Sequence, residues 1–192
     1  MGKYTAIADV SEEILRVMRK QLAPGLIPDQ NSIGLCSPEN CTEYSLSIYL
    51  YDLQESEEVR TLGMMNLDDA RQKGPPVYLS LYYMMTACLQ SDQKFKVVQE
   101  ERILGQIIQY FHDYPKISAG GEETRMQMLR ISTEDKMKLW NFGKAPYAVS
   151  LFYKASPVVI DSAYIRSVSR VRRPQIQVGR LEERDGILYR NK

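Results

Sequence analysis

The sequence predicts an α+β fold: a largely antiparallel sheet with helices packed on one face, extended by a basic C-terminal arm. Three observations carry this. Two segments, Tyr4 to Ala23 and Lys94 to Tyr114, place apolar residues three or four positions apart, the period of a half-buried helix. Between and after them lie runs rich in Val, Leu, Ile and Tyr, the composition of strands. The links between runs are hairpin-sized and show no regular strand-helix alternation, which argues against a parallel sheet.

The first helix carries Ile7, Val10, Ile14, Met18 and Leu22 on its apolar side, with Glu12, Glu13, Arg16, Arg19 and Lys20 mostly between them. Pro24-Gly25 stops it, because proline lacks the amide that helical bonding needs. Ile33 and Leu35 alternate with Gly34 and Cys36 as a short strand before the turn at 37–40. In Glu43 to Leu53, Tyr44, Leu46, Ile48 and Leu50 share one face, and Ser45, Ser47, Tyr49 and Tyr51 the other. Residues 54–74 turn polar and acidic, which suits an exposed connection, with Val59 to Met65 as a candidate sheet-edge pairing. Val77 to Leu89 reads as a strand buried on most of both faces, although periodicity leaves its second half open to helix.

In the second helix Phe95, Val98, Ile103, Ile107, Tyr110 and Phe111 form the stripe, and Pro115 ends it. Gly120-Gly121 opens a turn, and Met126, Met128 and Arg130 alternate with Gln127, Leu129 and Ile131 as a strand. Ser132-Thr133-Glu134-Asp135 is a helix-cap signature before Met137, Leu139 and Trp140, so a short helix ends near Gly143. Tyr147 to Ile160 reads as a long strand in which Pro157 marks an edge or a bulge.

With 192 residues, 44% hydrophobic and 26% charged, the chain can bury one sizeable core. The expected division is an α+β domain over 1–161 and an arginine-rich arm with strand or hairpin potential over 162–192. Lys plus Arg number 25 against 24 Asp plus Glu, so no whole-molecule field attracts nucleic acid or an anionic membrane. The charge is instead polarised: the arm carries +5 and the remainder −4. Arg166, Arg170, Arg172, Arg173, Arg180 and Arg184 interleave with Val168, Val171, Ile176, Val178 and Leu181, a pattern suited to adding strands or charged contacts to a partner. No run approaches the roughly 18 apolar residues of a membrane span, and the N-terminus lacks a secretion-signal layout. A soluble protein made in the cytosol is expected, with Cys36, Cys41 and Cys88 as reduced thiols.

Candidates for chemistry are few. The single histidine, His112, reads as a helix-end side chain against the dipole rather than a catalytic base. Cys36 and Cys88 sit in apolar strand contexts, where a thiol behaves as a small hydrophobe. Glu55, Glu57, Glu58, Asp68 and Asp69 suit a solvated acidic surface, and no His or Cys stands at metal-ligand spacing. There is no phosphate-cradling loop. The nine methionines fit core gap-filling and Trp140 a core or interface anchor. No catalytic residue, metal or cofactor is expected, and the chain is read as a non-enzyme.

The order of motifs resembles one family, the N-terminal domain of the tail-terminator or cap proteins of extracellular contractile injection systems, the phage-tail-like particles of the antifeeding-prophage type. The resemblance runs through Ile7 to Ser11, Leu46 to Asp52, Gly74 to Leu79, Leu81 to Ala87, Ile103 to Gly105, Lys138 to Trp140 and Pro146 to Tyr153. It covers roughly residues 4–160; each motif is a core pattern, and their order and spacing make it distinctive. Family members often continue into a longer C-terminal region, and Tyr83-Met84-Met85 stands where leucines are commoner. The resemblance implies a ring, a homohexamer, that seats on the last layer of inner tube and sheath and stops their polymerisation. It also implies cytoplasmic assembly into a particle that can leave the cell, with tube and sheath subunits as partners. Three other readings fit parts of the sequence: a nucleic-acid binder using the arm, an adaptor at another joint of the particle, and a cysteine hydrolase pairing Cys88 or Cys36 with His112.

Overall fold

The computed structural model describes residues 3–37, 43–56, 63–89, 93–141 and 147–168, and the strand backbones 182–184 and 187–189. Helix α1 spans Ala6–Leu22 and buries Val10, Ile14, Val17, Met18 and Leu22. It stops where the Ala23 amide donates to the Arg19 carbonyl at 3.1 Å, just before the proline. After a single turn over Gln30–Ser32 come β1 (Ile33–Leu35) and β2 (Leu46–Glu55), then β3 (Met65–Asn66), β4 (Arg71–Lys73) and β5 (Val77–Ala87). Helix α2 (Gln93–Asp113) leads to β6 (Lys116–Ala119) and β7 (Glu122–Met128). Helix α3 (Thr133–Asn141), β8 (Ser150–Ile160), β9 (Ile165–Ser167), β10 (Glu182–Arg184) and β11 (Ile187–Tyr189) follow.

Six strands form the main sheet in the order β1-β2-β5-β8-β7-β6. Every neighbour pair is antiparallel except β1 with β2, which is parallel. The α+β prediction therefore holds. One sheet face, carrying Leu46, Ile48, Leu81, Tyr83, Met85, Tyr153 and Ala155, packs against α1 and α2 through Ile14, Met18, Ile103, Ile107 and Phe111. The second half of β5 is strand throughout. Burying β5 and β8 on both faces puts hydroxyls in the interior, and these pair with each other: Thr86 with Ser150 at 2.7 Å, and Ser80 with Ser156 at 3.1 Å.

Several details differ from the sequence reading. Helix α3 lies on the opposite face from α1 and α2, where Trp140 packs with Met84 and Phe152. Its capping is as expected: the Asp135 amide donates to Ser132 Oγ at 3.1 Å. Pro157 marks a bulge in a central strand, because Leu79 faces Val158 while Leu81 faces Ala155. Strand β6 carries no sequence signal of its own; Pro115 ends α2 and the chain returns at once in a hairpin whose Gly120 and Gly121 have positive φ. The expectation of three reduced thiols is corrected: Cys88 is disulfide-bonded and Cys36 is a free thiol. Folding brings cysteines together independently of their spacing in sequence. Cys41 lies outside the described residues.

Candidate assembly surfaces

The segment after β8 folds back onto the same chain before the described run ends at Val168. Strand β9 pairs antiparallel with β4, which pairs with β3, to make a small second sheet. The seam is closed on both sides of β9: the Gly74 amide donates to the Tyr164 carbonyl and the Val168 amide to the Ala70 carbonyl, each at 2.8 Å. Lys73 Nζ and a carboxylate oxygen of Asp161 lie 3.4 Å apart, both largely buried. Gly74 is required by close approach, since a Cβ there would stand 2.5 Å from Ser162 Oγ. Of the candidate edge pairing over Val59 to Met65, residues 59–62 lie outside the described residues and Met65 pairs with Lys73 in this sheet; sequence reasoning missed β4, a polar strand of three residues.

Of the arginines expected to bind a partner, Arg166 is placed on β9, where its Nε and Nη2 donate to Gln72 Oε1 at 3.3 and 3.1 Å. The side chains of Arg170, Arg172, Arg173, Arg180 and Arg184 lie outside the described residues. The backbone of Glu182–Arg184 pairs antiparallel with Ile187–Tyr189.

A second surface is the flank of β2. Strand β1 pairs with it only from Leu46 to Ile48. Beyond Ile48 no strand among the described residues lies on that side. The Ile48 carbonyl faces β1, accepting the Cys36 amide at 3.2 Å. By strand alternation the amide and carbonyl of Leu50 face the same way. The register slips at Tyr51, so Leu53 and Glu55 take up that direction next, in agreement with the Ser56 amide turning inward to the Tyr78 carbonyl at 2.7 Å. One outward amide is capped, that of Leu53, which donates to Asp52 Oδ1 at 2.8 Å. Leu53 is 50% exposed, and Leu35, in register with Ile48 on the neighbouring strand, 42%. Asp52, Gln54 and Glu55 are exposed as well, so the open edge is acidic with an apolar centre.

Nothing described gathers into a catalytic constellation. His112 is exposed at the end of α2, lining a groove of about 640 Å³ with Phe111, Arg125, Met128 and Tyr153. Burial pushes the Cys36 thiol above its ordinary range, the opposite of an activated nucleophile. Among the described residues no three His, Cys, Asp or Glu side chains converge as a metal site. No helix described is long and apolar enough to cross a membrane. Tyr51 is pushed up to about 12, chiefly by burial and then by the Asp52 carboxylate. Tyr83 and Tyr153 are also pushed up to about 12 by burial, the Tyr83 hydroxyl lying 2.8 Å from Ser11 Oγ.

The profile of the Pvc16 N-terminal domain matches residues 9–173. The chain belongs to that family. Two solved structures share its fold at low identity. One is the sheath/tube terminator of an extracellular contractile injection system, PVC, in the extended state, with a TM-score of 0.65 and 19% identity. This chain is covered over 96% of its length there and spans 67% of that protein. The other is the tube-terminating cap of the anti-feeding prophage, with a TM-score of 0.63 and 16% identity over 89% of this chain and 61% of that one. No curated protein sequence matches the chain significantly. The family match extends through β9, so the small sheet belongs to the shared region.

Proposed function

We propose that this chain is a structural terminator of a contractile injection particle, a protein that closes into a ring of six copies on the last layer of inner tube and sheath and stops their growth. The observation that carries the reading is membership of the Pvc16 N-terminal domain family together with a fold shared with two capping proteins. The physics of the chain suits this role. A ring needs a rigid body with two different complementary surfaces, so that each copy's contact repeats until the rotation closes. The six-stranded sheet packed against α1 and α2 supplies the body, and the +5 arm against a −4 remainder supplies complementarity.

Arg170, Arg172, Arg173, Arg180 and Arg184 then act as contacts to a neighbouring copy or to terminal sheath carboxylates, while Arg166 helps moor the arm through Gln72. The protein assembles in the cytoplasm, leaves the cell only as part of the particle, and performs no catalysis. The test is to delete its gene from a strain that makes the particles and to image them. Tubes and sheaths of uncontrolled length that lack an end structure are expected, with length restored by the full chain. Particles of normal length and intact ends would overturn the reading. Removing 162–192 alone should abolish attachment to particle ends, and unchanged attachment would refute the role given to the arm.

A further inference from the structure

The ring reading leaves open which surface of the body receives the arm. Three features of the β2 flank point to one answer. Its outward backbone groups at Leu50 and Glu55 have no partner strand among the described residues, and unpaired edge groups are a template for another strand. Natural sheets protect such edges with charges, bulges or proline, and here the charges are the carboxylates of Asp52 and Glu55 around an exposed Leu53, which select a positively charged partner strand. Among the described residues Glu55 has no ion-pair partner. The edge therefore calls for an extended segment with branched apolar side chains and positive charge.

The chain itself contains one. After Pro174 the sequence runs Gln175, Ile176, Gln177, Val178, Gly179, Arg180, Leu181. Its apolar and basic residues Ile176, Val178 and Arg180 recur every second position, the spacing that puts side chains on one face of a strand. On β2 the slip at Tyr51 sets Leu50, Leu53 and Glu55 on one face in the same order. A parallel alignment thus matches Ile176 to Leu50, Val178 to Leu53 and Arg180 to Glu55. Strand β1 already lies parallel to β2 on this side. The described run 147–168 closes at Val168, tied to Ala70, and at about 3.3 Å per residue Leu181 can lie roughly 40 Å away, far enough to reach an adjacent molecule.

We propose that residues 175–181 of a second copy add to β2 as a parallel strand between Leu50 and Glu55, so that each subunit in the ring is strapped to the next. Backbone bonds give the affinity, the leucine-valine contacts exclude water, and the Arg180–Glu55 pair sets the register. This inference rests on the ring reading and deepens it.

The experiment mixes two full-length chains, each with Cys36→Ser to remove the free thiol, one carrying Leu53→Cys and the other Val178→Cys. They are oxidised in solution and on particle ends. A disulfide-linked dimer from the mixture, and a ladder from the doubly substituted chain, are expected. A link formed only within one doubly substituted chain would overturn the proposal by showing that the arm covers its own edge. No link of either kind, in chains that circular dichroism shows to be folded, would overturn it equally. As an independent measure, Glu55→Arg should weaken ring assembly about tenfold, and Arg180→Glu in the same chain should restore it. Absence of restoration counts against the register. Chains that seat on particle ends without any interchain link would refute strand exchange and leave the terminator reading intact. Interchain links between chains that never reach particle ends would support the exchange and refute the terminator reading.

Discussion

The two halves of β2 pair with the same neighbour, β5, yet live in different environments. Leu46, Ser47 and Ile48 are buried between β1 and β5, while Asp52, Leu53, Gln54 and Glu55 are exposed. What changes after Ile48 is that, among the described residues, one flank has no further strand beside it. A strand's composition records which faces are covered by helices, and it says much less about whether both flanks are paired. The first half of β2 is buried, and the second half is exposed.

Substitutions can break or sharpen this contrast. The largest effect is expected for Leu81→Ala, opposite Leu53 in register but fully buried, which should cost about 2–5 kcal/mol in denaturant unfolding. Cys88→Ser, at the well-covered end of the β2–β5 pair, should cost about 2–4 kcal/mol by the same measurement under non-reducing conditions.

Alkaline titration tests the covered face through its tyrosines. Tyr83 and Tyr153 are held near 12 in the fold against about 10 in an unfolded chain. Their contribution is complete below pH 10 and is lost as the pH rises from about 10 towards 12, because the unfolded chain releases those protons first. Melting temperature should fall across that window, with tyrosinate absorbance rising together with unfolding. Independent titration of both rings in a folded protein would contradict the burial.

Ser132→Ala removes the cap of α3 and should cost about 1 kcal/mol, leaving the packing of α1 and α2 untouched. The smallest stability effect, within about 0.5 kcal/mol, is expected for Leu53→Ala on the open half of β2. A loss comparable to that of Leu81→Ala would mean that the edge is already covered within the monomer.

Much of the architecture was legible because its signals are local. The stripe of α1, the alternation before Leu53, the cap at Ser132 and the bulge at Pro157 each lie within a few residues, and each has its expected structural consequence. Part of the α2 stripe was misleading: Ile103, Ile107 and Phe111 are buried, whereas Phe95 and Val98 are exposed. The candidate surfaces were half legible. The arm's charge can be read from composition, but its mooring through β9 could not, since Arg166 and Gln72 are 94 residues apart and neither carries a hydrophobic signal.

Alone, the amino-acid order determined the α+β class, the main helices and long strands, the polarised charge and the resemblance to capping proteins, because periodicity and composition encode local conformation and burial. Only the folded chain decided that α3 crosses to the far face, that β1 runs parallel to β2 and that Cys88 is bonded. It also decided that, among the described residues, no strand lies beside that flank of β2 beyond Ile48. Strand order and register arise from contacts between residues far apart in sequence, and no local pattern specifies which flank of a strand will be left without a neighbour.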